Sequence, residues 1–215
     1  MCVQLGGQHN EVALTSKGER QAALLGTRLA FDKIKFDAVY TSTAVRAMET
    51  ADIALRVSGL TGSAPMEHSS ALLEQAQGEW EGKERKDVYT AQVHQDMLDL
   101  HMDFCAPGGE SLRAVQERAI GFLAPKIEEW KAVSVAEGRE VVIGVFGHGG
   151  CIRVMLHHFV GVHDPLTWLL QQENTTLNEL LIDPRGVATI RVNDDAHLKY
   201  TMAAPPNPPE MHANL

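Results

Sequence analysis

Cysteine is scarce and unpatterned: Cys2, Cys105 and Cys151 are the only three in 215 residues, and no CxxC spacing occurs. An odd count without paired spacing argues against a disulfide framework and against a zinc clip, and a reducing compartment is the simplest setting. Basic residues are also in deficit, 19 Lys and Arg against 28 Asp and Glu, for a formal net charge of −9. Such a field repels nucleic acid and anionic lipid, so neither is an expected partner, and any anion the protein handles must be held by a local pocket. No stretch is apolar for long enough to span a bilayer, and the opening MCVQLGGQHNE has neither the basic region nor the apolar run of a secretory signal. The expectation is a cytoplasmic protein. Internal repeats are absent, as is the GxxxxGK[ST] phosphate loop.

What is present is an ordinary globular composition, 44% hydrophobic and 22% charged, at a length that fits one domain, or one domain and a tail. Apolar residues at helical spacing (Ala22, Leu25, Leu29) predict a helix over 14–31, with Thr15 or Ser16 as its cap. The β-prone run 36–41 leads through Ser42 and Thr43 into a second helical pattern ending near Val57. A brief strand is expected at 64–67, then an irregular segment around GEWEG, then a polar helical pattern over 83–104 that Pro107, Gly108 and Gly109 break. Ser111 caps a long helix to about Trp130, where Pro125 introduces a kink. The apolar run VVIGVF at 141–146 has the pattern of a strand buried on both faces, and helical spacing returns over 149–160. Residues 177–182 and 187–192 predict an antiparallel hairpin turned at Pro184–Arg185–Gly186, and the tail AAPPNPPEMHANL is too Pro-rich to pack. Strands alternating with helices imply an α/β sandwich, in which ligands sit at the carboxyl ends of strands.

Three polar strand ends stand out. Gly147–His148–Gly149–Gly150 follows the 141–146 run and opens a helix, where close backbone approach and unpaired N–H groups suit an anion. It is no dinucleotide fingerprint, because GxGxxG would need glycine where Ile152 stands. Tyr40–Thr41–Ser42–Thr43 is followed by Arg46, a guanidinium in the first turn of a helix that can hold a phosphate through paired bonds. Glu74, ahead of Gly78–Glu79–Trp80–Glu81–Gly82, is a candidate proton donor. Taken singly, Arg46 reads as a surface arginine and Glu74 as a solvated carboxylate.

Together, LTSKGERQA (14–22), FDAVYTSTAVRAMETA (36–51), LLEQAQGEWEG (72–82), PGGES (107–111), VVIGVFGHGGCIR (141–153) and ENTTLNEL (173–180) resemble, in order, the histidine phosphatase superfamily, the phosphoglycerate mutase-like family. The resemblance implies a three-layer α/β/α sandwich with a mostly parallel sheet, spanning 14–200, and phosphoryl transfer through a phosphohistidine. It implies that His148, Gly149 and Arg46 bind phosphate, that His148 and Glu74 are catalytic, and that neither cofactor nor metal is required. Residues 83–107 carry only Lys83, Arg85 and Lys86 as bases, so the small phosphatase branch is favoured over a mutase, with a small phosphorylated metabolite such as a sugar phosphate as substrate.

The family's nucleophile lies in an Arg-His-Gly motif that ends an interior first strand, and no Arg-His-Gly occurs in the chain. Residues 1–13 resemble the end of the loop that follows that strand. His9 in Gln8–His9–Asn10–Glu11 echoes the motif's order but reads as a loop histidine, because few strand formers precede it. The expectation is therefore a piece of an active phosphatase without its first strand, with a phosphate-binding pseudoenzyme as the second reading. His157, His158, His163 and Asp164 invite a metal reading, but the adjacent helical histidines 157 and 158 diverge, so a partly exposed helix face is preferred; Arg113 and Arg118 read as solvated.

Overall fold

The computed structural model describes residues 5–199, so the Pro-rich tail expected over 201–215 lies outside the described residues. Helix α1 (Ser16–Phe31) starts where Thr15 Oγ1 accepts the Gly18 N–H at 3.2 Å, and it buries Ala22, Leu25, Gly26 and Leu29. Strand β1 (Ala38–Ser42) is buried at every residue. Helix α2 (Val45–Ser58) follows and stops at Gly59, whose φ of 77° is the left-handed conformation glycine adopts without cost. Strand β2 (Met66–Ser69) leads into the loop that carries Glu74 and GEWEG.

The polar stretch expected as one helix is divided into α3 (Arg85–Val88), α4 (Ala91–Leu100) and a 3-10 turn at 101–103. Thr90 restarts the chain by accepting the Val93 N–H at 3.3 Å, and α4 buries none of its own residues, so no core contact holds the pieces in one line. Helix α5 (Leu112–Glu137) is capped by Ser111 as expected, continues past Trp130 and contains Pro125 within its span. Strand β3 (Ile143–Phe146), helix α6 (Gly149–Val160), strands β4 (Leu177–Asp183) and β5 (Gly186–Asp194), and helix α7 (Ala196–Lys199) complete the order.

Strands β2, β1 and β3 form a parallel sheet in that order, with Val39 of β1 opposite Met66 on one side and Gly144 on the other. Strands β4 and β5 pair antiparallel as a separate ribbon, matching the hairpin read from sequence. The expectation that 141–146 is the strand buried on both faces needs correction. Complete burial belongs to β1, which has a strand on each side, whereas the edge of β3 away from β1 has no strand partner among the described residues, and Val142 is 38% exposed.

Helices cover both faces. On one, Leu112, Val115 and Ala119 of α5 and Cys151, Val154 and Met155 of α6 pack with Ala38 and Tyr40 of β1 and with Leu72 and Met102. On the other, Leu25 and Leu29 of α1 and Ala54 of α2 pack with Phe36, Phe146 and Leu177. This is the three-layer α/β/α arrangement, and it places the carboxyl ends of β1 and β3 side by side.

Helices α1 and α2 meet through Gly26, where a Cβ would lie 2.6 Å from the Ala54 carbonyl oxygen and 2.7 Å from Val57 Cβ. Backbone cannot yield as a flexible side chain can, so Gly26→Ala should destabilise the fold by about 1–3 kcal/mol. Urea unfolding should record this as a lower midpoint at unchanged slope; an unmoved midpoint would mean the helices separate freely.

Candidate active site

The register that sets Thr41 against Phe146 brings Ser42, the last residue of β1, level with the chain leaving β3 toward His148. The His148 ring is buried, with Nε2 2.9 Å from Ser42 Oγ. Burial, and then the positive charges of Arg46 and Arg118, push its pKa down to about 3. The ring is therefore neutral at pH 7, in a positive field that favours an anion. The backbone of His148 is extended and caps α6, whose first residues are the two glycines.

Arg46 sits in the first turn of α2, as expected, but its guanidinium turns back to the N-terminal segment. Nη1 donates to the His9 carbonyl at 2.8 Å and Nη2 to the Gly7 carbonyl at 3.1 Å. Burial lowers its pKa, against the opposing charges of Glu74 and Glu81. His9 itself points elsewhere: its ring is half exposed, with Nε2 3.4 Å from Glu81 Oε2. Glu81 also accepts the N–H groups of Gln8 at 2.9 Å and Gln77 at 3.0 Å, an organising role that sequence reading missed.

Glu74 is no solvated loop carboxylate. Its Oε2 accepts the Gly150 N–H at 3.1 Å and its Oε1 accepts the Gln75 N–H at 2.8 Å, which seats the negative charge on the first turn of α6, where the helix dipole favours it. A Cβ at position 150 would collide with Glu74 Oε1, so Gly150 is required for this seat.

The loop bearing Glu74 is held by Arg118, and the reading of Arg118 as solvated is overturned. Its Nε and Nη2 donate to the two Glu110 carboxylate oxygens at 2.7 and 2.9 Å. Its remaining bonds go to the carbonyls of Ala71 (2.8 Å), Leu73 (2.9 Å) and Glu74 (3.0 Å). Gln75 Nε2 and the Ala76 N–H donate in turn to the Glu110 carbonyl and carboxylate. The available signal was position: Arg118 lies between Val115 and Ala119 of the buried stripe of α5. Burial opposes the charge of Glu110, but the Arg118 bonds and charge and the Ala76 N–H outweigh it, leaving the carboxyl below its ordinary value.

His158 and His163 are exposed and Arg113 is 39% exposed, in keeping with a partly exposed helix face, but His157 is turned inward. The His157 ring, 11% exposed, lies between Gln116 Nε2 at 2.8 Å and Asp164 Oδ1 at 3.0 Å, and Arg113 bridges Asp164 and Asp103. Among the described residues no group of three or more His, Cys, Asp or Glu is placed to hold a metal. A concavity of about 600 Å³ is lined by Lys33, Phe36, Asp37, Arg139 and Glu140 at the amino ends of β1 and β3. It is at the wrong end of the strands for a site of this fold type.

Two outcomes test this geometry. The Glu110–Arg118 pair contributes fully above the ordinary glutamate pKa of about 4.5, and that contribution is lost as pH falls through the lower folded value. Arg118→Met should therefore cost about 2–4 kcal/mol in urea unfolding at pH 7, and the deficit relative to the parent should shrink in acid. The His148 ring should show no titration step between pH 5 and 8 in nitrogen-15 NMR spectra; an inflection near the ordinary histidine value of 6.5 would mean that it is solvated.

The family pattern of the histidine phosphatase superfamily (branch 1) matches residues 4–195. A 2,3-bisphosphoglycerate-dependent phosphoglycerate mutase of Streptococcus pneumoniae is 30% identical over 181 residues, covering 72% of this chain and 76% of the mutase. Bacillus stearothermophilus YhfR superposes with a TM-score of 0.70 at 25% identity, covering 91% of each chain. The mycobacterial glucosyl-3-phosphoglycerate phosphatase in complex with inorganic phosphate gives a TM-score of 0.76 at 18% identity, over 90% of this chain and 93% of that one. The α-ribazole phosphatase of Shigella flexneri gives 0.68 at 22%, over 89% of both. By the match across nearly the whole chain, this protein belongs to the histidine phosphatase superfamily.

Proposed function

We propose that these residues form the phosphate-binding and proton-donating part of a phosphomonoester hydrolase acting on a small phosphorylated metabolite, such as a sugar phosphate. The observation that carries the reading is the seat of the Glu74 carboxylate on the Gly150 N–H, beside neutral His148 and within the fields of Arg46 and Arg118. An anion already occupies the place where a phosphoryl group would be held.

In this reading His148, Arg46 and the first N–H groups of α6, that of Gly149 included, stabilise the charge on the phosphoryl oxygens. An imidazole nitrogen attacks phosphorus in line, the ester P–O bond breaks, and the Glu74 carboxyl gives its proton to the leaving oxygen so that an alcohol departs. Water then attacks the phosphohistidine, Glu74 takes its proton, and inorganic phosphate leaves.

The attacking imidazole belongs in an Arg-His-Gly context, and residues 1–215 contain none. His9 is a poor substitute, because its ring is turned to Glu81. A protein that binds phosphate without turnover is the second reading. Mutase chemistry, the activity named for the pneumococcal relative, is disfavoured by the small number of bases over 83–107.

The test is hydrolysis of p-nitrophenyl phosphate by residues 1–215 and by the same chain preceded by a strand ending in Arg-His-Gly. The first should be inactive and the second active. In the active form, His148→Ala, Arg46→Ala and Glu74→Ala should each lower kcat by about a hundredfold or more. Full activity in those variants would refute the three assigned roles. Activity of 1–215 that disappears in His9→Ala would move the nucleophile to His9.

A further inference from the structure

The concavity at the amino ends of β1 and β3 shares no residue with the phosphate site. Its apolar lining is Ile34, Phe36, Leu60 and Val142; the first three are half-buried, and Val142 is 38% exposed. The Phe36 ring is seated on β3, where a Cβ on Gly144 would lie 3.0 Å from it, so glycine there makes room for the ring. At about 600 Å³ the space is within the range of small-molecule sites, roughly 300–1,000 Å³.

Lysines alternate with apolar residues through Lys33–Ile34–Lys35–Phe36, and all four line the concavity. Lys33 stands there against the preference of its backbone. It follows α1 with φ at 55°, its N–H donating to the Ala30 carbonyl at 3.1 Å and that of Ile34 to the Leu29 carbonyl at 3.0 Å. Such a left-handed helix stop favours glycine, which takes it after α2 (Gly59) and α5 (Gly138).

Neither Lys33 nor Lys35 has a carboxylate partner among the described residues, whereas Lys86, Lys126 and Lys131 each hold one. Of the two acids in the lining, Asp37 is committed to Arg139 at 2.7 Å and to the Val142 N–H at 2.8 Å, and Glu140 is the other. Lys33, Lys35 and Arg139 outnumber them, which leaves a locally positive rim on a chain with a net charge of −9. An apolar lining edged by two unpaired ammonium groups complements a ligand that is apolar in body and anionic at one end.

We propose that this concavity binds a small organic anion with a flat apolar body, an aromatic carboxylate, its ring against Phe36 and Val142 and its charge on Lys33 and Lys35. The ligand would join the amino ends of β1 and β3, the strands whose other ends lead to Ser42 and His148.

The test adds 2-naphthoate, or its neutral counterpart 2-naphthamide, to the nitrogen-15-labelled 215-residue chain. Naphthoate should bind saturably and shift the amide signals of residues 33–37 and 142, and naphthamide should bind about threefold or more weakly. Excess inorganic phosphate should not displace naphthoate. Lys33→Gly and Lys35→Glu should each weaken naphthoate binding about three- to fivefold. Lys33→Gly should also raise the midpoint of urea unfolding, because glycine relieves the left-handed turn, so its weaker binding cannot come from a damaged fold. No saturation by about 5 mM, shifts confined to other residues, equal binding of naphthamide, displacement by phosphate, or undiminished affinity in either variant overturns the inference.

Discussion

The bond set of Arg118 is the constraint on which the site depends. The loop after β2 turns the carbonyls of Ala71, Leu73 and Glu74 toward the protein interior, where each needs a donor, and one guanidinium serves all three. Glu110 answers the charge with two further bonds, so the cost of taking the cation partly out of water is met by geometry that only arginine can offer. The loop is thereby fixed to α5. Because α5 and α6 share one apolar core through Val115, Ala119, Cys151 and Val154, the position of Glu74 relative to Gly150 is set by packing as much as by polar bonds. A change in that core would be felt at the carboxylate.

What could be read from the sequence was local. Thr15 and Ser111 cap their helices through bonds spanning three residues, and the β4–β5 hairpin turns where Pro184–Arg185–Gly186 stands, so a short window contains the whole cause. The glycines around His148 marked a strand-to-helix bend for the same reason. What could not be read was long-range. Arg118 reaches carbonyls 44 to 47 residues away and Arg46 reaches carbonyls 37 and 39 residues away. A hydrophobic pattern tells which face of a helix is buried but names no partner, so an arginine on the rim of the stripe was assigned to solvent. The exchange of β1 and β3 as the most buried strand has a similar origin: VVIGVF is the more apolar run, but burial follows from neighbours, and β1 has a strand on both sides.

Charge is distributed with the same economy. The chain is acidic overall, yet Arg46, Arg118 and Arg153 converge on the neighbourhood of α6's first turn, and Glu74 is the acid whose charge all three register. A lone histidine in that field stays neutral, since burial and two guanidinium groups all disfavour a third positive charge. A phosphate dianion brought between them would offset the charge of the two guanidinium groups.

The same contact sets the order of events at Glu74. The Gly150 N–H is a single donor, and in the free protein Glu74 holds it. A phosphoryl oxygen and a carboxylate cannot both occupy that place, because their like charges repel at contact distance. An arriving phosphate must displace Glu74 from this N–H, which leaves the carboxyl group beside the ester. In the proposed reaction the proton donor is therefore released beside the ester by the arrival of the group it serves, and in the free protein it is held on the helix terminus.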